Sequence, residues 1–108
     1  MFEKEDVEMA RKLEQAKSIF AGLQKGTIDR SLLSANASAY FTQEVLGDFA
    51  SSLRSHGTPT EFVQTEANLR GGMTFHGYRI RAGDRLFKLT VRILGDGKIE
   101  QYLIERGN

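Results

Sequence analysis

Apolar residues recur at three- and four-residue steps early in the chain: Val7, Ala10, Leu13, Ala16 or Lys17, Phe20 and Leu23, with Gly26 just beyond. That period lays them along one stripe of an α-helix from Glu3 to Lys25, and a glycine after the last periodic residue is a stop signal. Lys12, Glu14, Gln15 and Lys25 make the opposite side polar, so the helix is expected to pack along one side only. The next stretch, "GTIDRSLLSANASAYF", breaks the period with small and polar residues. Ile28, Leu32, Leu33, Tyr40 and Phe41 still supply apolar anchors, which predicts short helical turns draped over a core. Thr42 then offers an N-cap hydroxyl, and Val45, Leu46, Phe49, Ala50 and Leu53 mark one face of a second helix. It ends near His56, ahead of Gly57 and of Pro59, the single proline.

After Thr60 the period falls toward two, and β-branched and aromatic residues rise. Four strands are predicted: Glu61 to Leu69, Met73 to Arg81, Arg85 to Leu94, and Lys98 to Glu105. Gly83-Asp84 fits a two-residue turn with glycine first, which sets Ile80 against Phe87, Tyr78 against Leu89, and His76 against Val91. One face is then almost wholly apolar, while Arg79 with Lys88 and Phe75 with Arg92 lie on the reverse. "LGDGK" offers a second hairpin, through either an Asp96-Gly97 turn or a three-residue loop with Gly97 left-handed. In strict alternation the last strand carries Ile99 and Leu103 on one side and Tyr102 and Ile104 on the other. A strand apolar on both sides needs two covers, and a second subunit is the natural supplier of one.

Gly71 and Gly72 raise a separate question, because glycine-rich loops can cradle phosphate. Such a loop lies between a strand and a helix N-terminus, whereas "LRGGMTF" is followed by strand and lacks either nucleotide-binding spacing. The pair is read as permitting a bulge or tight bend in a curving strand.

The chain of 108 residues fits a single domain, with a helical part over about 3–57 and a sheet part over about 60–106. Its fold class is α+β. Hydrophobic residues at 40% and charged residues at 27% are ordinary globular values. A net charge of +1 gives no bulk field for nucleic acid. Glu3, Glu5, Asp6 and Glu8 crowd the start, where they suit the helix dipole. Arg70, Arg79, Arg81, Arg85, Lys88 and Arg92 crowd the later half, where cross-strand pairing with Glu100 and Glu105 competes with an anion-binding patch. With no cysteine there are no disulfides and no thiolate sites, and no apolar run reaches the length of a membrane span. A chain complete as it stands is expected in the cytoplasm.

The wording of three stretches goes further. "SAYFTQEVLGDFASSLRSHGTPTEF", "LRGGMTFHGYRI" and "DGKIEQYLIER" resemble small bacterial domains of the nuclear transport factor 2-like, cystatin-like group, found alone or appended to serine hydrolases of the beta-lactamase type. The resemblance runs from about Ala16 to Ile104. It implies helices laid across a curved antiparallel sheet of about four strands, a cone with a pocket, and frequent dimerisation through sheet surfaces. Enzymes of this fold place an Asp or an Asp-His pair toward the pocket, and here the chain departs from the pattern. Its inward strand positions offer Thr74, His76 and Tyr78 but no carboxylate, while Asp84 and Asp96 belong to turns.

Five residues are candidates for lining a ligand pocket: Tyr40, Glu66, His76, Tyr78 and Tyr102. A histidine among apolar neighbours can exchange a proton near neutral pH or simply be a core residue. The tyrosines combine an apolar ring with one hydroxyl. Glu66 shares a face with Phe62 and Gln64 in strict alternation, and is either an acid–base group or an edge-strand charge. His56 suits a helix C-terminus, and the two histidines have no metal-site spacing. The serines form no nucleophile elbow. No cofactor, metal or catalytic set is expected. The reading is a noncatalytic homodimeric domain with a small-molecule pocket or an accessory role beside an enzyme, the alternative being a small isomerase or lyase using pocket residues of the inner sheet face. Nucleic acid and membrane are not expected partners.

Overall fold

The computed structural model describes the backbone of residues 2–107 and all their side chains except those of 2–8 and 70, so the expectations placed on the side chains of Glu3, Glu5, Asp6, Val7, Glu8 and Arg70 lie outside the described residues. The chain is α+β. Helix α1 (Phe2–Lys25), α2 (Ala35–Tyr40) and α3 (Gln43–Leu53) precede strands β1 (Glu61–Arg70), β2 (Met73–Ala82), β3 (Arg85–Ile93) and β4 (Ile99–Arg106). The strands form one antiparallel sheet in sequential order, β1-β2-β3-β4.

The end of α1 is set by a glycine, and the starts of α2 and α3 by capping side chains. At the end of α1, Thr27 N–H donates to the Gly22 carbonyl and Gly26 N–H to that of Leu23, with Gly26 left-handed at φ +82°. Those two bonds close the helix with a Schellman motif, which a glycine at this position permits without strain. Ser34 Oγ accepts from Ala37 N–H at 3.2 Å to cap α2, and Thr42 Oγ1 accepts from Val45 N–H at 3.2 Å to cap α3. Gln24 Nε2 donates to the carbonyls of Leu53 and Gly57, tying the end of α1 to the end of α3.

Ala16, Ile19, Phe20 and Leu23 of α1 and Leu46, Ala50 and Leu53 of α3 are buried. Ala16, not Lys17, takes the inward position; Ala10 of the expected stripe is exposed. Ala16, Ile19, Phe20, Leu23, Leu46 and Leu53 pack on Phe62, Tyr78, Ile80, Phe87, Leu89, Val91 and Ile99 of the sheet. Each buried Leu, Ile, Val or Phe side chain of this layer contributes about 1.5–3 kcal/mol relative to exposure, so the layer is the main source of stability.

The Gly83-Asp84 hairpin has the expected register, pairing Ile80 with Phe87, Tyr78 with Leu89 and His76 with Val91. Gly83 sits at φ +63°, as a turn with glycine first requires. The second hairpin uses the three-residue loop: Leu94 and Lys98 close it, Gly97 N–H donates to the Leu94 carbonyl, and Gly97 lies at φ +89°.

Three features depart from strict alternation. Gly71 and Gly72, at φ +54° and +81°, are the two central residues of a hairpin turn closed by Arg70 and Met73, not a bend within a strand. The bend lies earlier, where Thr65 is an extra residue between the Gln64–Tyr78 and Glu66–Gly77 pairs. A second bulge lies in β4, where Glu100 is extra between the Ile93–Ile99 and Arg92–Gln101 pairs.

Each bulge inverts the side-chain parity beyond it. Ile99 and Tyr102 therefore share the inner face, at 1% and 3% exposure, and Ile104 joins them half-buried. Only Leu103 of that apolar set points outward, so the two-sided apolar strand expected from alternation is not formed.

Candidate ligand site between α2 and β4

Segment 27–41 is held against the start of β4 by polar contacts from both sides. Ser34 N–H donates to the Ile99 carbonyl, and Leu33 bridges Ile99 in parallel. Lys98 Nζ donates to the Ser31 carbonyl at 2.6 Å. Arg30 donates to the carbonyls of Ser38 and Phe41 and so fixes the end of α2. The bulge then swings Glu100 toward α2, where its Oε1 accepts from Ser34 Oγ at 2.6 Å and its Oε2 from Asn36 Nδ2 at 3.2 Å. Those two hydrogen bonds, with help from the Arg92 charge, hold the Glu100 carboxyl below the usual carboxylate range.

Between α2 and β4 lies a cavity of about 300 Å³. Its lining combines apolar Ala37, Tyr40, Phe41 and Leu103 with polar Asn36, Arg92, Glu100 and Gln101. The Tyr40 and Phe41 rings meet edge to face at 5.0 Å, which sets the angle of the apolar wall. Tyr40 is 56% exposed and Leu103 38%, so both stand at the mouth. The Arg92 guanidinium lies 5.0 Å over the Phe75 ring, and its Nε is buried without a hydrogen-bond partner among the described residues.

The five candidate residues divide into three groups. Tyr40 and Tyr102 line this cavity. Tyr102 does so as part of the wall, because its hydroxyl is spent on the Ala16 carbonyl at 2.8 Å. His76 and Tyr78 are stacked on the inner face, ring centroids 6.3 Å apart and 13° from parallel. They are 7% and 1% exposed, surrounded by core. Burial, and secondarily the Lys12 charge, push the His76 pKa below its ordinary value, which keeps the ring neutral at pH 7. Glu66 is in neither place: the Thr65 bulge turns it to the outer face, away from Phe62 and Gln64, where its Cγ would lie 2.8 Å from a Cβ at Gly77. It covers the gap left by that glycine and is remote from His76 in function, being on the opposite side of the sheet.

The basic residues are also arranged differently from expectation. Arg79 and Arg81 pair with Glu61, at 2.9 and 3.8 Å, and not with Glu100 or Glu105. His56 ends the turn after α3, as expected, and its ring meets Phe87 at 5.6 Å. Among the described residues no group of three or more metal-ligating side chains converges, and no helix is long and apolar enough to cross a membrane.

Sequence reasoning named the tyrosines of the cavity but missed Asn36, Arg92 and Glu100 as its polar wall. Arg92 carried a signal, being assigned opposite Phe75 on the outward face; Glu100 and Asn36 meet across 64 residues and had none. No protein-family model, curated protein or solved structure matches the chain.

Proposed function

We propose that the chain is a noncatalytic nuclear transport factor 2-like domain that binds a small ligand in the cavity between α2 and β4, as a free-standing module or as an accessory beside an enzyme. The observation that carries this reading is the cavity itself, which at about 300 Å³ pairs an apolar wall with a few convergent polar groups. The separation of the candidate acid–base groups supports the noncatalytic part of this reading. His76 is enclosed by core and Glu66 is turned to the outer face, so these two do not form an acid–base pair. The order of elements and the resemblance of the three stretches quoted above support the family reading.

Crystals soaked with a library of small polar-aromatic compounds test the site. Density beside Tyr40 and Leu103 is the expected result. Occupancy confined to the surroundings of His76 would instead move the function to the inner face and revive an isomerase or lyase. Homodimerisation belongs to the same reading, through the outward sheet face, where Val63 is exposed. Sedimentation at millimolar concentration showing monomer alone would remove it.

A further inference from the structure

The polar wall of the cavity carries one cation and one anion that do not satisfy each other. Among the described residues no ion pair joins Arg92 to Glu100, although the two are near enough for the Arg92 charge to act on the Glu100 carboxyl. Arg92 is held in place from below by the Phe75 ring, and its Nε is a buried donor with nothing to donate to. Arg92 lines the cavity, and an acceptor on a ligand would give the part of its guanidinium that faces the cavity a partner it lacks among the described residues. A carboxylate matches the shape of a guanidinium edge.

Glu100 has complementary spare capacity. Each of its oxygens accepts one hydrogen bond, from Ser34 and from Asn36, while a carboxylate offers about four lone-pair sites. Its position is fixed, its charge is retained, and it can still accept from an ammonium group. A simple anion at Arg92 would meet the charge of Glu100, and a simple cation at Glu100 would meet that of Arg92. A neutral apolar molecule would take both charges further from water without supplying a counter-charge to either. Only a ligand bearing both charges answers both residues, and the wall of Tyr40, Phe41 and Leu103 calls for an apolar side chain on it.

Resting on the cavity reading above, we infer that the ligand is a small zwitterion with an apolar side chain, a free α-amino acid or a dipeptide, its carboxylate on Arg92 and its ammonium on Glu100. A volume of about 300 Å³ accommodates a molecule of that size.

The test is nitrogen-15 heteronuclear NMR on the full chain with L-phenylalanine, alanyl-phenylalanine, N-acetyl-phenylalanine, phenylalaninamide and benzyl alcohol as separate probes. Saturable shifts at Asn36, Tyr40, Gln101 and Leu103 are expected with phenylalanine or the dipeptide, and blocking either terminus should weaken binding about tenfold. Arg92→Met should abolish the preference over the amide, and Arg92→Lys should restore part of it. Glu100→Gln should abolish the preference over the N-acetyl form. Equal binding of free and blocked probes overturns the zwitterion, as does a preference that survives in Arg92→Met with an otherwise wild-type spectrum. Shifts with benzyl alcohol and none with either zwitterion also overturn it, yet leave the cavity reading standing. Silence of the cavity resonances toward all five probes overturns both.

Discussion

Tyr102 and Tyr78 are both buried tyrosines of the inner face, at 3% and 1% exposure, but only one hydroxyl is used. Tyr102 Oη donates to the Ala16 carbonyl at 2.8 Å, linking the last strand to the first helix across 86 residues. The Tyr78 hydroxyl has no hydrogen-bond partner among the described residues. Replacing each tyrosine by phenylalanine keeps the ring and its apolar burial, so the difference between the variants isolates the bond. Ala16 lies within α1, and its carbonyl retains the helical bond from Phe20, so Tyr102→Phe orphans nothing and loses only the net value of one buried hydrogen bond. That loss is about 1 kcal/mol, equivalent to a fall of about 4–8 °C in Tm for a domain near this size. In urea the midpoint should drop by roughly 0.3–1 M at unchanged slope. Tyr78→Phe should lie within about 0.5 kcal/mol of the wild type, on either side. Paired urea titrations followed by circular dichroism decide the matter. Equal losses in the two variants, or none in Tyr102→Phe, would refute the assignment of the clamp to that hydroxyl.

Three further outcomes follow from the same structure. The lowered pKa of His76 means that the unfolded chain binds the proton first, so stability is full above about pH 6.5, the ordinary histidine value, and declines as pH falls below it. This one group contributes a slope of at most about 1.4 kcal/mol per pH unit. His76→Phe should flatten that part of the acid limb in a pH series of Tm measurements. At the alkaline end the sign reverses: Tyr78 is pushed up to about 12 and Tyr102 also well above its ordinary value, so stability declines as pH rises from about 10. Fluorescence-monitored unfolding between pH 9 and 12 should show a smaller decline in Tyr78→Phe. Two glycine substitutions should have opposite signs in thermal melts. Gly47→Ala, in α3 with open space around it, should stabilise by about 0.5–1 kcal/mol, while Gly72→Ala, at φ +81°, should cost about 1–2 kcal/mol.

The helices, the four strands and one hairpin register were legible because each is signalled by local chemistry. Periodic apolar residues ended by Gly26 wrote α1, Thr42 wrote the start of α3, and a Gly-first pair wrote the β2–β3 turn. What failed was parity. Thr65 and Glu100 are ordinary residues with nothing to mark them as extra, and a single uncounted residue in a strand exchanges its two faces. That error alone put Glu66 beside Phe62 and separated Ile99 from Tyr102. The paired glycines were read as a bend because the real bend lay elsewhere without a glycine. The cavity was half legible for a different reason: aromatic residues advertise themselves, but the meeting of Ser34 and Asn36 with Glu100 depends on how segment 27–41 drapes across β4, which no local pattern encodes.

Both bulges fall in the strands that bound the sheet, β1 and β4, while β2 and β3 pair without interruption. A fifth strand, from another copy or from a misfolded neighbour, would find a crooked template on either flank and could not zip along it in regular steps. Concentrated solutions of the chain should thus resist seeding into fibrils, and any stable association of copies must press broad surfaces together instead of extending the ladder sideways.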